Sequence, residues 1–357
     1  MTEQAREILG IDRRKALLTV VAALVLAVAA VFGIGQVTNF HHVVRALGRG
    51  DRTWFPVCLG GALLAYAGYV WAYRDVARVD GGPCLGPWTA LRIVVIGFGA
   101  ALIGSSAGPL GMDYWALHRT GEPRHVAVRR VLALNTLQWF VLAILAFVVA
   151  AAAAAGPWRA PLAMEVAWLV VVPLCVAAAV WVSSPRRSER LSSLPCDDVH
   201  LRWTPRTWPD WLWQAGRAAF SDAVGGVVIV RHLLHRPLAH PGALAGFPLY
   251  WAGDVLTLYA ALRAFGVHPH PVTLVLAYAT GFAVTALPLP AGGSGGVEAG
   301  LTFSLNAVGI PLAPALLATL VYRAFTLWLP VGPAFALLPQ VRDLDRELPL
   351  VPRASKG

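Results

Sequence analysis

Asp113, Asp254, Glu298, Tyr322 and Arg323 all lie within or beside long apolar runs, and their types suit the binding of a polar or charged group. A charge held in hydrocarbon is costly, so it faces a polar interior, pairs with an opposite charge, or works. Glu298 closes the stretch Pro288-Leu289-Pro290-Ala291-Gly292-Gly293-Ser294-Gly295-Gly296-Val297-Glu298. The prolines fix φ and remove backbone donors, and the glycines make a continuous helix costly. At membrane depth an irregular backbone is tolerated only where protein buries it or where it lines a wet cavity. A broken helix beside a carboxylate is the pattern of a transport or lipid-handling site. Gly292, Gly293 and Gly295 therefore join the candidate substrate-binding residues.

Each side chain has two readings. Glu298 and Asp113 would hold a cationic headgroup or take up a proton, or else cap the helices that follow them. Arg323 would bind a lipid phosphate through its planar fork, or form a structural bridge with Glu298 or Asp254. Tyr322 would hydrogen-bond a phosphate or sit at the membrane interface. Asp254, in Tyr250-Trp251-Ala252-Gly253-Asp254, is a functional candidate or a snorkelling acid near the cytoplasmic face. Arg129 and Arg130 read as topology signals and anionic-lipid anchors, and Asn135 and Gln138 as contacts that hold helices together. The pairs His232/His235 and His268/His270 have loosely metal-like spacing, but no third ligand accompanies them. The sequence offers no nucleotide fingerprint and no Ser/His/Asp arrangement. No catalytic residue, metal or cofactor is assigned.

The elements that must position these residues are membrane helices. The chain is 57% hydrophobic and 13% charged, with mean hydropathy +0.61, whereas soluble domains are about 25% charged. Apolar segments fall near 16–35, 55–73, 89–107, 131–155, 162–182, 244–265, 272–289 and 312–338, several of them close to the roughly 20 residues that span a bilayer. If all eight spanned from a cytoplasmic N-terminus, the outside would be slightly the more basic, against the positive-inside rule. If 89–107 enters and leaves on the cytoplasmic side, and 272–310 on the outer side, most of the basic residues become cytoplasmic, as the rule requires. The expected fold is an all-α polytopic membrane protein of six full spans and two re-entrant broken-helix elements. The runs Gly108-Pro109-Leu110-Gly111-Met112-Asp113 and Pro290 to Glu298 each end in an acid. Each is followed by a glycine, Gly121 or Gly309, and then by a further span. That is the loose outline of an inverted repeat.

The expected organisation is a cytoplasmic segment 1–15, a membrane domain 16–340 and a cytoplasmic tail 341–357. Within the domain, 184–236 forms a cytoplasmic crossover anchored at the interface by Trp203, Trp208, Trp211 and Trp213. Asp12-Arg13-Arg14-Lys15 precedes a long apolar run, which reads as a retained first helix and not a cleaved signal. Only two of the 29 cationic residues are lysines, Lys15 and Lys356. The net charge of +10 reads as topology signal and attraction to anionic lipid, with no nucleic-acid partner. Cys58, Cys84, Cys175 and Cys196 have no CxxC spacing, so neither disulfides nor a metal site is expected.

The Pro288-Leu289-Pro290, Gly292-Gly293, Gly295-Gly296 and Glu298 element, followed by Tyr322-Arg323, Pro330 and Gly332, resembles the membrane domain of the lysyl-phosphatidylglycerol synthase family. This is the flippase-like half of the multiple peptide resistance factor, which also occurs as a stand-alone protein. The run Gly108 to Leu117 is similar as well, and the resemblance covers about 16–340. Ala291 stands where the family usually has glycine. The resemblance implies a fold of spans and re-entrant helices that moves an amphiphile between leaflets. Nothing here corresponds to the synthase domain, so the chain is expected not to make the lipid.

The expected function is binding or translocation of a polar-headgroup lipid: an aminoacyl-phospholipid, another phospholipid or a polyprenyl-linked glycolipid. Two alternatives stand beside it: a membrane transferase acting on a lipid headgroup, and a non-transporting scaffold for a lipid-modifying enzyme. The expected partners are membrane phospholipids or a lipid-linked substrate, with a separate lipid-modifying enzyme as the candidate protein partner. The expected location is the plasma (inner) membrane, with both termini cytoplasmic.

Overall fold

The computed structural model describes residues 50–104, 107–158, 160–187, 208–286 and 295–348. The first apolar segment, most of the crossover, the turn residues Gly292 and Gly293, and the tail beyond 348 lie outside the described residues. All regular elements among the described residues are helices. They are α1 (Phe55–Arg78), α2 (Pro87–Gly104), α3 (Ala107–Arg119), α4 (Arg124–Ala155), α5 (Leu162–Val182), α6 (Trp208–His235), α7 (Pro241–Ala264), α8 (Pro271–Phe282), α9 (Gly296–Ala307), α10 (Leu312–Arg323), α11 (Val331–Leu337) and α12 (Val341–Glu347). Among the described residues four helical stretches are long and apolar enough to cross a membrane: Arg52–Gly81, Arg124–Ala155, Leu162–Val182 and Leu312–Gln340. The chain is an all-α polytopic membrane protein.

Proline marks where these helices begin, because its fixed φ suits the first turn and its missing donor has no partner there in any case. Pro87, Pro241 and Pro271 open α2, α7 and α8, and Pro123, Pro161 and Pro311 cap α4, α5 and α10. Two of these starts share one geometry. Gly121 (φ 89°) ends α3 and Gly309 (φ 94°) ends α9, and each is followed two residues later by a cap, Pro123 (φ −56°, ψ 146°) or Pro311 (φ −56°, ψ 143°).

The centre of the molecule is a seam between α1 and α7, both of 24 residues. Gly61 lies against Gly253 and Thr257, Gly68 against Gly246 and Tyr250, and Gly242 against Trp71 and Asp75, so the helices run antiparallel. A Cβ on Gly68 would stand 2.5 Å from the Gly246 carbonyl oxygen, and one on Gly246 equally close to that of Gly68. Lipid supplies no hydrophobic drive between helices, so this close approach of small residues is what holds them. At one end of the seam the Gly242 N–H donates to Asp75 Oδ2 at 2.6 Å, so a side chain from α1 serves the first turn of α7. At the other end the Asp51 N–H donates to the Ala264 carbonyl at 2.8 Å.

Two helical hairpins flank the seam. In the first, Gly97 of α2 lies against Pro109 and Met112 of α3. In the second, Gly281 of α8 lies against Gly300 and Leu301 of α9. Helices α8 and α9 have 12 residues each, about 18 Å apiece at 1.5 Å per residue, short of a hydrocarbon core of about 30 Å. Both legs of the first hairpin pair with α12: Arg92 of α2 with Glu347, and Arg119 of α3 with Asp345 at 3.4 Å. At the start of the second hairpin the His270 ring stacks on Trp158, in the α4–α5 connection, at 4.7 Å.

Arg130 does more than anchor lipid, which corrects the expectation for it. It is buried, pairs with Glu122 at 3.0 Å and donates to the carbonyls of Val76, Ala77 and Val79 at the end of α1. Arg129, only partly buried, pairs with Asp222 of α6 at 3.2 Å. Helix α5 buries only Glu165 and Val172 fully, with Met164, Trp168 and Leu169 packed on the core and much of its remaining apolar surface exposed. A π-helical turn, Ala324–Trp328, joins α10 to the residues leading into α11.

Candidate functional site

Glu298 is the third residue of α9, so its carboxylate reaches back over the open N–H groups of the first turn. Its Oε2 accepts from the Gly295 N–H at 2.7 Å, and Gly295 adopts φ 84°, a conformation that favours glycine. Its Oε1 accepts from Arg323 Nε at 3.0 Å. The two side chains are 2% and 8% exposed. The capping reading of Glu298 and the ion-pair reading of Arg323 therefore both hold, on the two oxygens of one carboxylate. Arg323 is the last residue of α10, immediately before the π turn, and Glu298 sits in the first turn of α9.

Asp254 lies on the α7 seam and is 4% exposed, so it does not snorkel. Its Oδ2 accepts from Tyr322 Oη at 2.7 Å and from Tyr278 Oη, and the two hydroxyls are 3.4 Å apart. Tyr322 is 1% exposed and so is not an interfacial residue. Arg323 lies within electrostatic reach of Asp254. The structure thus brings Glu298, Arg323, Tyr322, Asp254 and Gly295 into one buried cluster where α7, α8, α9 and α10 meet.

Asp113, on α3, is 2% exposed and stands apart from that cluster. Its Oδ2 accepts from Tyr69 Oη of α1 at 3.0 Å, and no cation pairs with it among the described residues. The Tyr69 and Tyr250 rings meet edge to face at 5.9 Å, and Tyr250 and Tyr66 lie within electrostatic reach of Asp254. A strip of phenols therefore runs between the two acids. The hydroxyls of Tyr66, Tyr73, Thr302 and Thr319 are buried without a partner among the described residues.

Sequence reasoning did not single out Tyr69 and Tyr278. A tyrosine in an apolar run reads as an interfacial residue, and its opposing carboxylate lies on another helix. The available signal was that two acids within apolar runs each required donors.

The arrangement offers a guanidinium paired with one carboxylate, two carboxylates held by phenols, and buried hydroxyls without a partner among the described residues. It can bind a zwitterionic or charged group and can hold protons. Among the described residues no three His, Cys, Asp or Glu side chains gather as metal ligands. No curated protein matches the chain. Residues 17–334 match the family described as Lysylphosphatidylglycerol synthase TM region, and the chain belongs to that family.

Proposed function

We propose that this protein moves a polar-headgroup lipid between leaflets, and that the cluster around Glu298, Arg323, Asp254 and Tyr322, with Asp113 opposite, receives the headgroup. The buried Arg323–Glu298 pair carries this reading. Breaking a buried pair by removing one partner leaves an uncompensated charge, which costs about 3–5 kcal/mol. A headgroup bearing both a phosphate and an ammonium avoids that cost. Its phosphate replaces Glu298 on Arg323 while its ammonium replaces Arg323 on Glu298, so no charge is left alone. An aminoacyl-phospholipid or a zwitterionic phospholipid has that chemistry, and a polyprenyl-linked glycolipid offers the phosphate alone.

The access route we infer is a pair of re-entrant hairpins opening on opposite faces. Support for the first comes from Arg92 and Arg119, which tie both of its ends to the same short helix, α12. Support for the second comes from the shortness of its legs and from the His270–Trp158 stack at its start. The matching Gly121/Pro123 and Gly309/Pro311 geometries, and the antiparallel partnership of α1 with α7, favour an inverted repeat of α1–α4 and α7–α10.

The test is a leaflet-translocation assay in proteoliposomes with a panel of fluorescent lipids. Movement of a zwitterionic or aminoacylated lipid faster than in protein-free liposomes is expected. No acceleration for any lipid in the panel would refute the proposal.

A further inference from the structure

Helix α5 has 21 residues, about 31 Å at 1.5 Å per residue, so its last turn lies at the edge of a hydrocarbon core of about 30 Å. Val166, Val170, Leu174 and Trp181 fall on one face of it, and each is between 45% and 64% exposed. This stripe ends on cations. The Arg187 guanidinium lies over the Trp181 ring at 4.2 Å and donates to the Trp181 carbonyl at 3.4 Å. From α6, Arg231 donates to the Ser183 carbonyl at 2.7 Å. Two segments of the chain thus bring a guanidinium to the same helix end. Each spends one of its five N–H donors there, and the others are left for a ligand. Arg186 lies next to Arg187, and Arg236 follows the last residue of α6; both are exposed. Among the described residues no carboxylate pairs with any of these four arginines. Topology requires only that arginines stay on one side of the membrane. It does not require that Arg231 reach a carbonyl 48 residues away in sequence.

We propose that the ends of α5 and α6 form a binding site for one anionic phospholipid. Arg186, Arg187, Arg231 and Arg236 hold its phosphate, and an acyl chain lies along the stripe from Val166 to Trp181. Basic pockets between membrane helices hold acidic headgroups in this way. The arginine fork suits a phosphate, and the exposed indole suits the boundary between chain and headgroup. No carboxylate among the described residues pairs with this cationic collar to offset it or to receive an ammonium, so a net negative headgroup is preferred over a zwitterionic one. The site contains none of the residues around Glu298 and Arg323. Its lipid joins α5 to α6 where the protein's own packing is thin, since α5 buries only Glu165 and Val172 fully.

The test is native mass spectrometry of the full chain released from detergent micelles, with bound lipid counted after titration. The probe is dioleoyl phosphatidic acid, which carries a phosphate and two chains and nothing else. Dioleoyl phosphatidylcholine adds only the choline ammonium, and inorganic phosphate lacks the chains. Wild type should hold phosphatidic acid under conditions that strip phosphatidylcholine, and excess inorganic phosphate should not displace it. Arg186→Gln with Arg236→Gln should bind one phosphatidic acid fewer. Both side chains are exposed, and the contacts of Arg187 and Arg231 remain, so a single peak in size exclusion is expected for this variant. The charge-matched control is Arg52→Gln with Arg217→Gln, also exposed, in which Arg217 lies about 21 Å before Arg231 along α6. It should bind the wild-type number. Equal retention of phosphatidylcholine, displacement by phosphate, or an unchanged count in the Arg186/Arg236 variant would each overturn the proposal. A lipid held at the Glu298 cluster would survive these substitutions, so the two sites are read apart.

Discussion

Replacing either partner of the Arg323–Glu298 pair should destabilise the protein more than replacing both. The contact is 3.0 Å, with side chains 8% and 2% exposed. At an effective dielectric constant of about 20, such a separation gives an attraction of about 5–6 kcal/mol, which desolvation of the two ions offsets in large part. Glu298→Gln keeps an oxygen for the Gly295 N–H but leaves Arg323 without its carboxylate, a loss of about 3–5 kcal/mol. Arg323→Gln should cost at least as much, because Arg323 also bears on Asp254. The double variant buries neither charge and should be less destabilised than Arg323→Gln alone, so the double-mutant cycle should give a coupling of at least about 3 kcal/mol. Equilibrium unfolding in mixed micelles, followed by tryptophan fluorescence, measures all four. If both single changes fall within about 0.5 kcal/mol of wild type, or if their effects simply add, the carboxylate and guanidinium are not a buried pair.

Four further outcomes can be checked. Arg130→Leu should cost about 3–5 kcal/mol, whereas Arg129→Leu should cost about 1 kcal/mol, because the second pair is partly hydrated; equal losses would remove Arg130 from the end of α1. Gly246→Leu should abolish folded yield in size exclusion, because its Cβ would collide with the α1 backbone, while Gly60→Leu, with nothing within 4 Å, should be tolerated. Burial raises the Glu122 carboxyl above its ordinary 4.5, with Arg130 opposing; the folded chain then binds that proton more tightly, so this contribution to stability falls as pH rises from 4.5 through the folded value. Glu122→Gln should flatten that slope in unfolding midpoints taken across pH, and an unchanged slope would contradict the assignment. Cysteines introduced at Ser188 and Arg353 should resist a membrane-impermeant reagent in intact cells and react after lysis; labelling of both from outside would reverse the proposed topology.

That Glu298, Arg323 and Asp254 would need partners was legible in the sequence because a charge in an apolar run has few excuses. Their partners were less so. That Glu298 meets Arg323 was one of two readings of Arg323, and it depends on how the hairpin returns. The Asp254–Tyr278 and Asp113–Tyr69 bonds join different helices, and no local spacing encodes them. The α1–α7 seam was missed for a related reason. Gly61, Gly68, Gly246 and Gly253 are ordinary in membrane helices, and only their alignment across two segments nearly two hundred residues apart makes them a contact. Arg130 was misread because arginines flanking a span usually serve topology. What sets it apart is the cluster of carbonyls left open at the end of α1, which exists only in the fold.

The π turn at Ala324–Trp328 has a consequence for how this sequence can vary. A π turn holds one residue more than the α-helical path across the same span. Losing that one residue would restore a regular helix with its phase kept, but any other insertion or deletion would swing everything after it by about 100° around the axis. Asp345 and Glu347 would then face away from Arg119 and Arg92, and the buried Leu344 would turn outward. Apart from that one loss, insertions and deletions between Arg323 and Pro330 should therefore be far less tolerated than substitutions. The length of that turn acts as a phase marker, setting the angular register between the ion pair on one side and the clasp on the first hairpin on the other.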